Sequence, residues 1–252
     1  ESLGGMEPGT FSARTIINAP FLYKEEAVVS PDKAKIAYTR KLSSNKSEGT
    51  TCEDPCYYVG RVVELRTGKV ETFFTTKSEN TEDSFIRWSD DNYTIIYSLG
   101  EEIWKYDTVT DKKTLLTRVT GYMDNANGSP YFQIIGTDLY FQGINKIEKL
   151  SVTNPTQPEV FFKNTDPKRK MYQFMLSPDR NSLVYKIADS NDQPTATDVL
   201  MYNLKSKKKL VLIDETPSAY ADAFSSDGKR FLVYHGGAGD SPGEYVLYTS
   251  EG

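Results

Sequence analysis

The sequence predicts an all-β fold built from a repeated four-stranded unit, and three observations lead to this prediction. A turn motif of constant composition recurs along the chain, and each copy is followed by further strand-like segments. Aromatic residues, mostly Tyr and Phe, make up 12% of the 252 residues, and such side chains pack well on half-buried pleated surfaces. Hydrophobic residues at 38% and charged residues at 26% indicate a globular chain rather than a disordered one.

The repeated motif consists of an apolar residue, Ser, any residue, Asp, a polar turn and an apolar run that ends near Tyr. Four copies occupy residues 29–40, 88–99, 176–187 and 224–235, and a shorter version lies in 130–143. Ser and Asp side chains stabilise tight turns through bonds to the local backbone, so each copy predicts a hairpin. We expect the four acidic residues to hold these turns rather than to form one site; they are Asp32, Asp91, Asp179 and Asp227.

Each unit continues with two further strands joined by a polar hairpin, at 57–75, 102–118, 146–162 and 198–213. A four-stranded unit of about 40–50 residues repeated around an axis is typical of a β-propeller. The fifth unit ends after three strands, and we expect residues 10–17 to supply the fourth and close the ring. The prediction is one domain, 1–252, with blades at 26–76, 83–119, 130–164, 171–214 and 219–250. The alternative is a six-bladed ring whose final blade lies outside this sequence.

The segments "SPDKAKIAY" (30–38) and "EIWKYDTVT" (102–110) resemble the WD40-like (PD40) repeats of TolB-type propellers. They are also similar to repeats in the propeller domains of dipeptidyl-peptidase-IV-like enzymes. The resemblance extends from about residue 27 to residue 250. It implies a propeller of the cell envelope, secreted or exposed on the surface, and it implies no particular activity because one fold can host many functions.

Composition limits the classes of partner and the compartment. A net charge of −5 and a pI near 5.2 argue against a nucleic-acid-binding protein. No apolar run approaches the ~18 residues that a membrane-spanning helix needs, so no membrane insertion is expected. Cys52 and Cys56, in a turn-rich segment, predict a disulfide and an oxidising compartment. Two free thiols are the alternative, and a metal site is disfavoured because the chain has one His.

The stretch "HGGAGDSPG" (235–243) contains the G-x-S-x-G pattern of a serine hydrolase, centred on Ser241. In a working site the N–H of the next residue helps to bind the oxyanion. That residue is Pro242, which has no N–H. The one histidine, His235, lies in the same stretch. We therefore interpret this stretch as a loop between two strands.

Three other polar stretches are interpreted as solvated loops. Residues 189–198 begin like a calcium loop but have Pro194 where the sharp turn needs Gly, and 124–129 has the wrong ligand spacing. The lysine-rich segment 205–209 is expected to be a hairpin tip. No cofactor and no metal is predicted.

Polar residues on the inner strands are the candidate ligand-binding residues, because inner strands line the channel of a propeller. They are Glu26, Arg87, Gln133, Gln173 and Asp222. Glu26 and Asp222 would be the acid pair if the propeller were a glycoside hydrolase. Aromatic platforms for a sugar would come from Trp88, Tyr122, Tyr172 and Tyr220.

The function expected from these observations is a non-catalytic, extracytoplasmic module that binds another protein or acts as a scaffold. It could form part of a larger envelope or surface protein. Loops on one face of a rigid ring would set its specificity, and the candidates are 43–56, 121–130 and 188–198. The alternative is a carbohydrate-binding or carbohydrate-hydrolysing propeller, with a glycan as its ligand.

Overall fold

The fold is seen in a computed structural model that describes residues 27–43, 56–77, 85–119, 131–189, 197–214, 219–236 and 243–250. These ranges contain nineteen strands and no helix, so nothing in them resembles a membrane-spanning helix. Every pair of neighbouring strands is antiparallel, and each sheet takes its strands in sequence order. The prediction of an all-β fold is confirmed.

The strands form five sheets, four with four strands and one with three. Sheet 1 contains β1 (Ala27–Val29), β2 (Lys35–Ser43), β3 (Cys56–Glu64) and β4 (Val70–Lys77). Sheet 2 contains β5 (Ile86–Trp88), β6 (Thr94–Leu99), β7 (Glu102–Asp107) and β8 (Lys112–Arg118). Sheet 3 contains β9 (Phe132–Ile135), β10 (Asp138–Gly143), β11 (Lys146–Ser151) and β12 (Glu159–Lys163). Sheet 4 contains β13 (Arg169–Leu176), β14 (Ser182–Asp189), β15 (Thr197–Asn203) and β16 (Lys209–Ile213). Sheet 5 contains β17 (Tyr220–Phe224), β18 (Arg230–His235) and β19 (Glu244–Thr249).

The core lies between consecutive sheets. Sheets 1 and 2 share a cluster that contains Phe74 and Tyr97, whose rings stack with centroids 5.1 Å apart. Three further clusters join sheet 2 to 3, sheet 3 to 4 and sheet 4 to 5. Because strands present alternate residues to opposite faces, each inner sheet can bury apolar side chains against both neighbours. Face-to-face packing of successive sheets is the arrangement of a β-propeller, and this prediction is confirmed.

The first strand of each sheet is the innermost. Contacts between sheets are richest among these first strands and the strands beside them, as between β1 and β5 and between β13 and β17. The remaining strands of each sheet follow outward in order. The inner strands β1, β5, β9, β13 and β17 therefore carry the residues nearest the axis.

Sheet 5 has one face against sheet 4 and one face that is open. Phe231 and Val233 belong to the cluster shared with sheet 4. On the other face, Tyr245 and Leu247 are 54% and 58% exposed. The segment 10–17, expected to pair with the edge of this sheet, lies outside the described residues. The closing strand therefore stays a prediction.

The sheets have two distinct ends, because antiparallel strands place successive connections at opposite ends. One end, the short-turn end, has the turns from first to second and from third to fourth strands, such as 177–181 and 204–208 in sheet 4. The other end, the long-loop end, has the connections from second to third strands and from sheet to sheet. Among these are 44–55, 119–131 and 190–196.

Candidate functional site

The repeated turn at the short-turn end is held by its Ser and Asp side chains. In sheet 4, Ser177 Oγ donates to Asp179 Oδ1 at 2.6 Å and accepts the N–H of Ser182 at 2.9 Å. Asp179 Oδ1 also accepts the N–H of Asn181 at 3.0 Å. The same Ser-to-Asp bond, again 2.6 Å, occurs in sheets 1 and 5. In sheet 2 the carboxylate of Asp91 instead accepts the N–H groups of the two residues that follow the turn.

In sheets 1, 4 and 5 these bonds lower the pKa of the turn carboxylate. The pKa of Asp32 is lowered first by the Ser30 hydroxyl and then by the N–H of Ala34. The pKa of Asp227 is lowered in the same way by Ser225 and by the N–H of Lys229. Burial raises the pKa of Asp179, but the bonds from Ser177 and Asn181 outweigh burial and the net shift is downward. The acidic residues hold turns, as the sequence predicted.

Successive turns are also bonded to one another. Asn92 Oδ1 in sheet 2 accepts the N–H of Asp32 in sheet 1 at 2.7 Å. Arg180 in sheet 4 donates to the carbonyl of Ile135 at 2.9 Å and pairs with Asp138, both in sheet 3. Neighbouring turns at this end are therefore linked by hydrogen bonds and an ion pair.

The turn of sheet 5 lies close against that of sheet 4. Gly228 has φ +70°, and a Cβ built there would be 3.2 Å from Asp179 Oδ1. The corresponding positions of three other sheets also have positive φ, with Lys33, Asn92 and Arg180 in place of Gly. Gly228 thus combines a left-handed conformation with a close approach to the neighbouring sheet.

The predicted binding loops belong to the long-loop end. Residues 43–56 connect β2 to β3, 121–130 lie between sheets 2 and 3, and 188–198 connect β14 to β15. The strand ends that flank all three are therefore at one face of the propeller. Most of each loop lies outside the described residues, and so does Cys52. The disulfide from Cys52 to Cys56 stays a prediction.

The candidate channel residues do not converge on one point in the described part of the chain. Glu26 lies outside it. Arg87 Nη1 donates to the carbonyl of Ile86 at 2.6 Å, on the inner strand of sheet 2. Asp222 is exposed at a bulge, where β17 has one residue more than its partner β18.

Gln133 is held by sheet 4. Its Nε2 donates to the carbonyl of Leu176 at 2.8 Å, and its Oε1 accepts the N–H of the same residue at 2.9 Å. The side-chain amide therefore pairs with Leu176 as a neighbouring strand would. Gln133 therefore links sheet 3 to sheet 4.

Gln173 faces sheet 5 rather than the axis. It follows a bulge at Tyr172 and pairs directly with Lys186 on β14. Met175, two residues further along the same strand face, packs in the cluster between sheets 4 and 5. Neither Gln173 nor Lys186 has a side-chain hydrogen bond or ion pair with the described residues.

Sequence reasoning missed a polar position on the second strand of each sheet. This position comes directly after the second-strand residue that pairs with the inner strand. In sheet 2 that residue is Tyr97, which pairs with Ile86, and in sheet 4 it is Tyr185, which pairs with Phe174. The five residues at this position are Thr39, Ser98, Gln142, Lys186 and Tyr234. In sheets 1 to 4 a polar residue directly after the aromatic residue of the motif is the sequence signal that could have revealed them.

In sheets 1 to 4 these polar residues face the next sheet, and Ser98 and Gln142 are bonded to backbone. Ser98 Oγ accepts the N–H of Phe85 at 2.9 Å. Gln142 Nε2 donates to the carbonyl of Met171, on the inner strand of sheet 4. Lys186 is the charged member of the set, and burial lowers the pKa of its amine.

In sheet 5 the second-strand residue that pairs with the inner strand is not aromatic. Val233 pairs with Ala221 and lies eight residues after Ser225, whereas Tyr234 lies nine residues after it. The turn itself has the same length as in sheet 4, because the Ser Oγ accepts the N–H of the fifth following residue in both sheets.

The aromatic platforms proposed for a sugar are only partly available. Trp88 is buried and its Nε1 donates to the carbonyl of Val28 at 3.0 Å, so it joins sheets 1 and 2. Tyr122 lies outside the described residues. Tyr220 packs near Tyr234, with ring centroids 5.0 Å apart.

The remaining motifs lie largely in connections. Ser241 and Pro242 fall outside the described residues, between β18 and β19. His235 Nε2 lies 3.2 Å from Tyr248 Oη, and the two rings stack. The lysine-rich segment 205–209 lies at and beside the turn from β15 to β16, as expected for a hairpin tip. In the described ranges no group of three or more His, Cys, Asp or Glu is placed to hold a metal ion.

Comparisons with known proteins identify the fold. No protein-family model and no curated protein matches the sequence. TolB from Acinetobacter baumannii matches 90% of this chain with a TM-score of 0.58 and 16% identity, over 52% of its own length. A prolyl endopeptidase matches 90% of this chain with a TM-score of 0.64 and 11% identity, over 34% of its own length.

A third solved structure is the β-propeller domain of the Trilobed protease from Pyrococcus furiosus, which has an open velcro topology. It matches 91% of this chain with a TM-score of 0.53 and 12% identity, over 70% of its own length. At these identities the likeness concerns the fold. This chain spans about half the length of the TolB structure and about a third of the endopeptidase structure.

Proposed function

We propose that this chain, which has the TolB-like β-propeller fold, is a non-catalytic module that binds another protein in the cell envelope. The module is one propeller domain, alone or as part of a larger envelope or surface protein, and residues 10–17 complete its fifth blade. Its binding face is the long-loop end. A propeller is suited to this role because a rigid ring holds variable loops in fixed positions.

The observation that carries the proposal is the difference between the two ends. The connections at the short-turn end are hairpin turns whose polar groups bond to each other, as from Arg180 to Ile135. The longest connections, 44–55 and 119–131, both leave the long-loop end. A partner protein would therefore meet the longest connections at one end and hydrogen-bonded hairpin turns at the other.

A binding role also agrees with the chemistry of the inner strands. Gln133 is bound to Leu176 through both atoms of its amide, and Trp88 is buried between sheets 1 and 2. These are roles in joining blades, and such residues would not be free to act on a substrate. The carbohydrate alternative loses its strongest aromatic platform with Trp88.

The envelope location is supported by the predicted disulfide and by the TolB-like fold. Cys56 begins β3, and its backbone pairs with Ser43 where β2 ends. A bond from Cys56 to Cys52 would close a short loop at the binding face. Such a bond persists in an oxidising compartment.

The test is to replace the loops and follow the partner. Residues 44–55 and 121–130 are each exchanged for Gly-Ser segments of equal length, and the turn 153–157 at the short-turn end is exchanged as a matched control. Each version is expressed in the cells of origin, crosslinked with formaldehyde and purified after cell fractionation.

We expect one protein to co-purify with the unmodified chain and with the control, and to be lost from at least one loop version. Thermal unfolding checks that every version is folded. Recovery of the same partner by both loop versions would contradict the assigned face. Recovery of the chain in the cytosolic fraction would contradict the envelope location.

A further inference from the structure

Lys186 is an amine without a counter-charge between two sheets. It lies on β14, on the face that packs against sheet 5, between Val184 and Ala188. Its cross-strand neighbours on that face are Gln173 and Val199. Within the described residues no carboxylate pairs with it, although Arg169 on the adjacent strand is paired with Asp198 and Asp189. A half-buried charge without a partner destabilises the folded state. Proteins therefore tend to keep such a charge where it has a function.

Gln173 is the second polar group at this place. Directly paired residues on antiparallel strands have Cβ atoms about 4.5–5.5 Å apart, so the ends of two long side chains can reach one ligand. Gln133 and Gln142 use their amides to bind the next sheet. Gln173 makes no such bond in the structure, and its N–H donors remain available.

The opposing sheet carries smaller side chains here than sheets 3 and 4 carry at the equivalent position. In sheets 3 and 4 a large residue on the inner strand pairs with an aromatic residue on the second strand. These pairs are Phe132–Phe141 and Phe174–Tyr185. In sheet 5 the equivalent pair is Ala221–Val233. β17 packs on both β13 and β14, so these small side chains lie opposite the face that carries Lys186.

We propose that Lys186 and Gln173 form a binding site for a carboxylate that carries a small apolar group. One carboxylate oxygen accepts from the Lys186 ammonium and the other from Gln173 Nε2. A single positive charge balances a monoanion, whereas a phosphate dianion would leave excess charge in a half-buried site. The apolar group lies toward Ala221, which is only partly buried, because Val184 and Val199 are fully buried. The site adjoins the loop 188–198, but it is assigned from residues on β13, β14 and β15 and is tested without a protein partner.

The site can be probed through the two methionines on the same face. Met175 and Met201 are buried in the cluster between sheets 4 and 5, and the chain has five Met in all. With ¹³C-methyl-labelled Met, their signals are followed while sodium butyrate is added at constant ionic strength. Butyramide, which has the same shape without the charge, and sodium chloride are titrated separately.

We expect the Met175 and Met201 signals to move with butyrate to saturation, and to respond at most weakly to butyramide or chloride. The change Lys186→Gln should weaken butyrate binding by at least about tenfold, because it removes a charge-assisted hydrogen bond. Gln173→Leu should weaken it less, and the exposed control Lys112→Gln should leave it unchanged.

Three results would overturn the proposal. They are the absence of a saturable shift with butyrate, equal affinity for butyramide, and wild-type affinity in Lys186→Gln. The Met spectrum without ligand shows whether each variant is folded, because both reporter residues lie in the core. Since Lys186 and Gln173 have no side-chain partner among the described residues, we expect both variants to keep the wild-type fold.

Discussion

The side-chain amide of Gln133 forms two hydrogen bonds with the backbone of Leu176, which lies 43 residues further along the chain. Nε2 donates to the carbonyl and Oε1 accepts the N–H, at 2.8 and 2.9 Å. Sheet 3 is thereby tied to sheet 4 at the inner strands. A channel-facing glutamine and a blade-joining glutamine are indistinguishable in the sequence.

Substitution of Gln133 by Leu should lower the free energy of unfolding by about 1–3 kcal/mol, because both backbone groups of Leu176 lose their partner. Gln173→Leu is the matched control, since Gln173 is on the next inner strand and has no bond to lose. We expect the control to change stability by less than about 0.5 kcal/mol. Urea unfolding measures both, and equal losses would contradict the role given to Gln133.

Gly228→Ala should destabilise the protein more than Gly100→Ala. Both glycines have positive φ, at +70° and +56°, so each substitution incurs a strain of about 1–2 kcal/mol. At Gly100 a new Cβ has no atom within 4 Å, whereas at Gly228 it meets Asp179. The loss of unfolding free energy in Gly228→Ala minus the loss in Gly100→Ala reports the close approach of sheets 4 and 5. A larger loss at Gly100 would contradict this packing.

The lowered pKa values of Asp32, Asp179 and Asp227 predict loss of stability in acid. A carboxyl whose pKa is lower in the folded state stabilises the fold above its unfolded pKa of about 3.9. That contribution disappears as the pH falls through the folded pKa. Unfolding free energy should therefore decline below about pH 4.

The decline should be shallower in Asp179→Asn, because Asn has no charge to titrate. Asp90→Asn, at the exposed second position of the sheet 2 turn, is the control and should keep the wild-type slope. The measurement is urea unfolding at several acid pH values. If Asp179→Asn and the wild type have the same slope, the Ser177–Asp179 bond does not have the role assigned to it.

The expected closing strand can be tested by hydrogen exchange at β19. If residues 10–17 pair with this edge, removal of residues 1–17 will expose every second N–H of β19 and speed its exchange. Removal of residues 1–9 is the control and should have little effect. Unchanged exchange after the longer deletion would show that another segment, or none, covers this edge.

The repeat architecture could be predicted from the sequence because its determinants are local. The bond from Ser177 to Asp179 spans two residues, and that from Ser182 N–H to Ser177 spans five. Such turns fold in nearly the same way wherever the motif occurs. The order of strands within each sheet then follows from short hairpin connections.

The direction of the inner-strand side chains could not be predicted, because it depends on bulges. Extra residues at Tyr172 and Asp222 shift the register of β13 and β17 by one position. A shift of one residue moves a side chain to the opposite face of a strand. For this reason Gln173 faces sheet 5, and Val233 pairs with Ala221 rather than with Asp222.

The measurement that tests the central proposal most directly compares two photo-crosslinking positions. A benzophenone amino acid replaces Ile144 at the long-loop end or Val109 at the short-turn end; these side chains are 54% and 74% exposed. After illumination of cells of origin, we expect a discrete crosslinked envelope protein from position 144 and none from position 109. A crosslink from position 109 alone, or from neither position, would contradict the proposal that the long-loop end binds a protein partner.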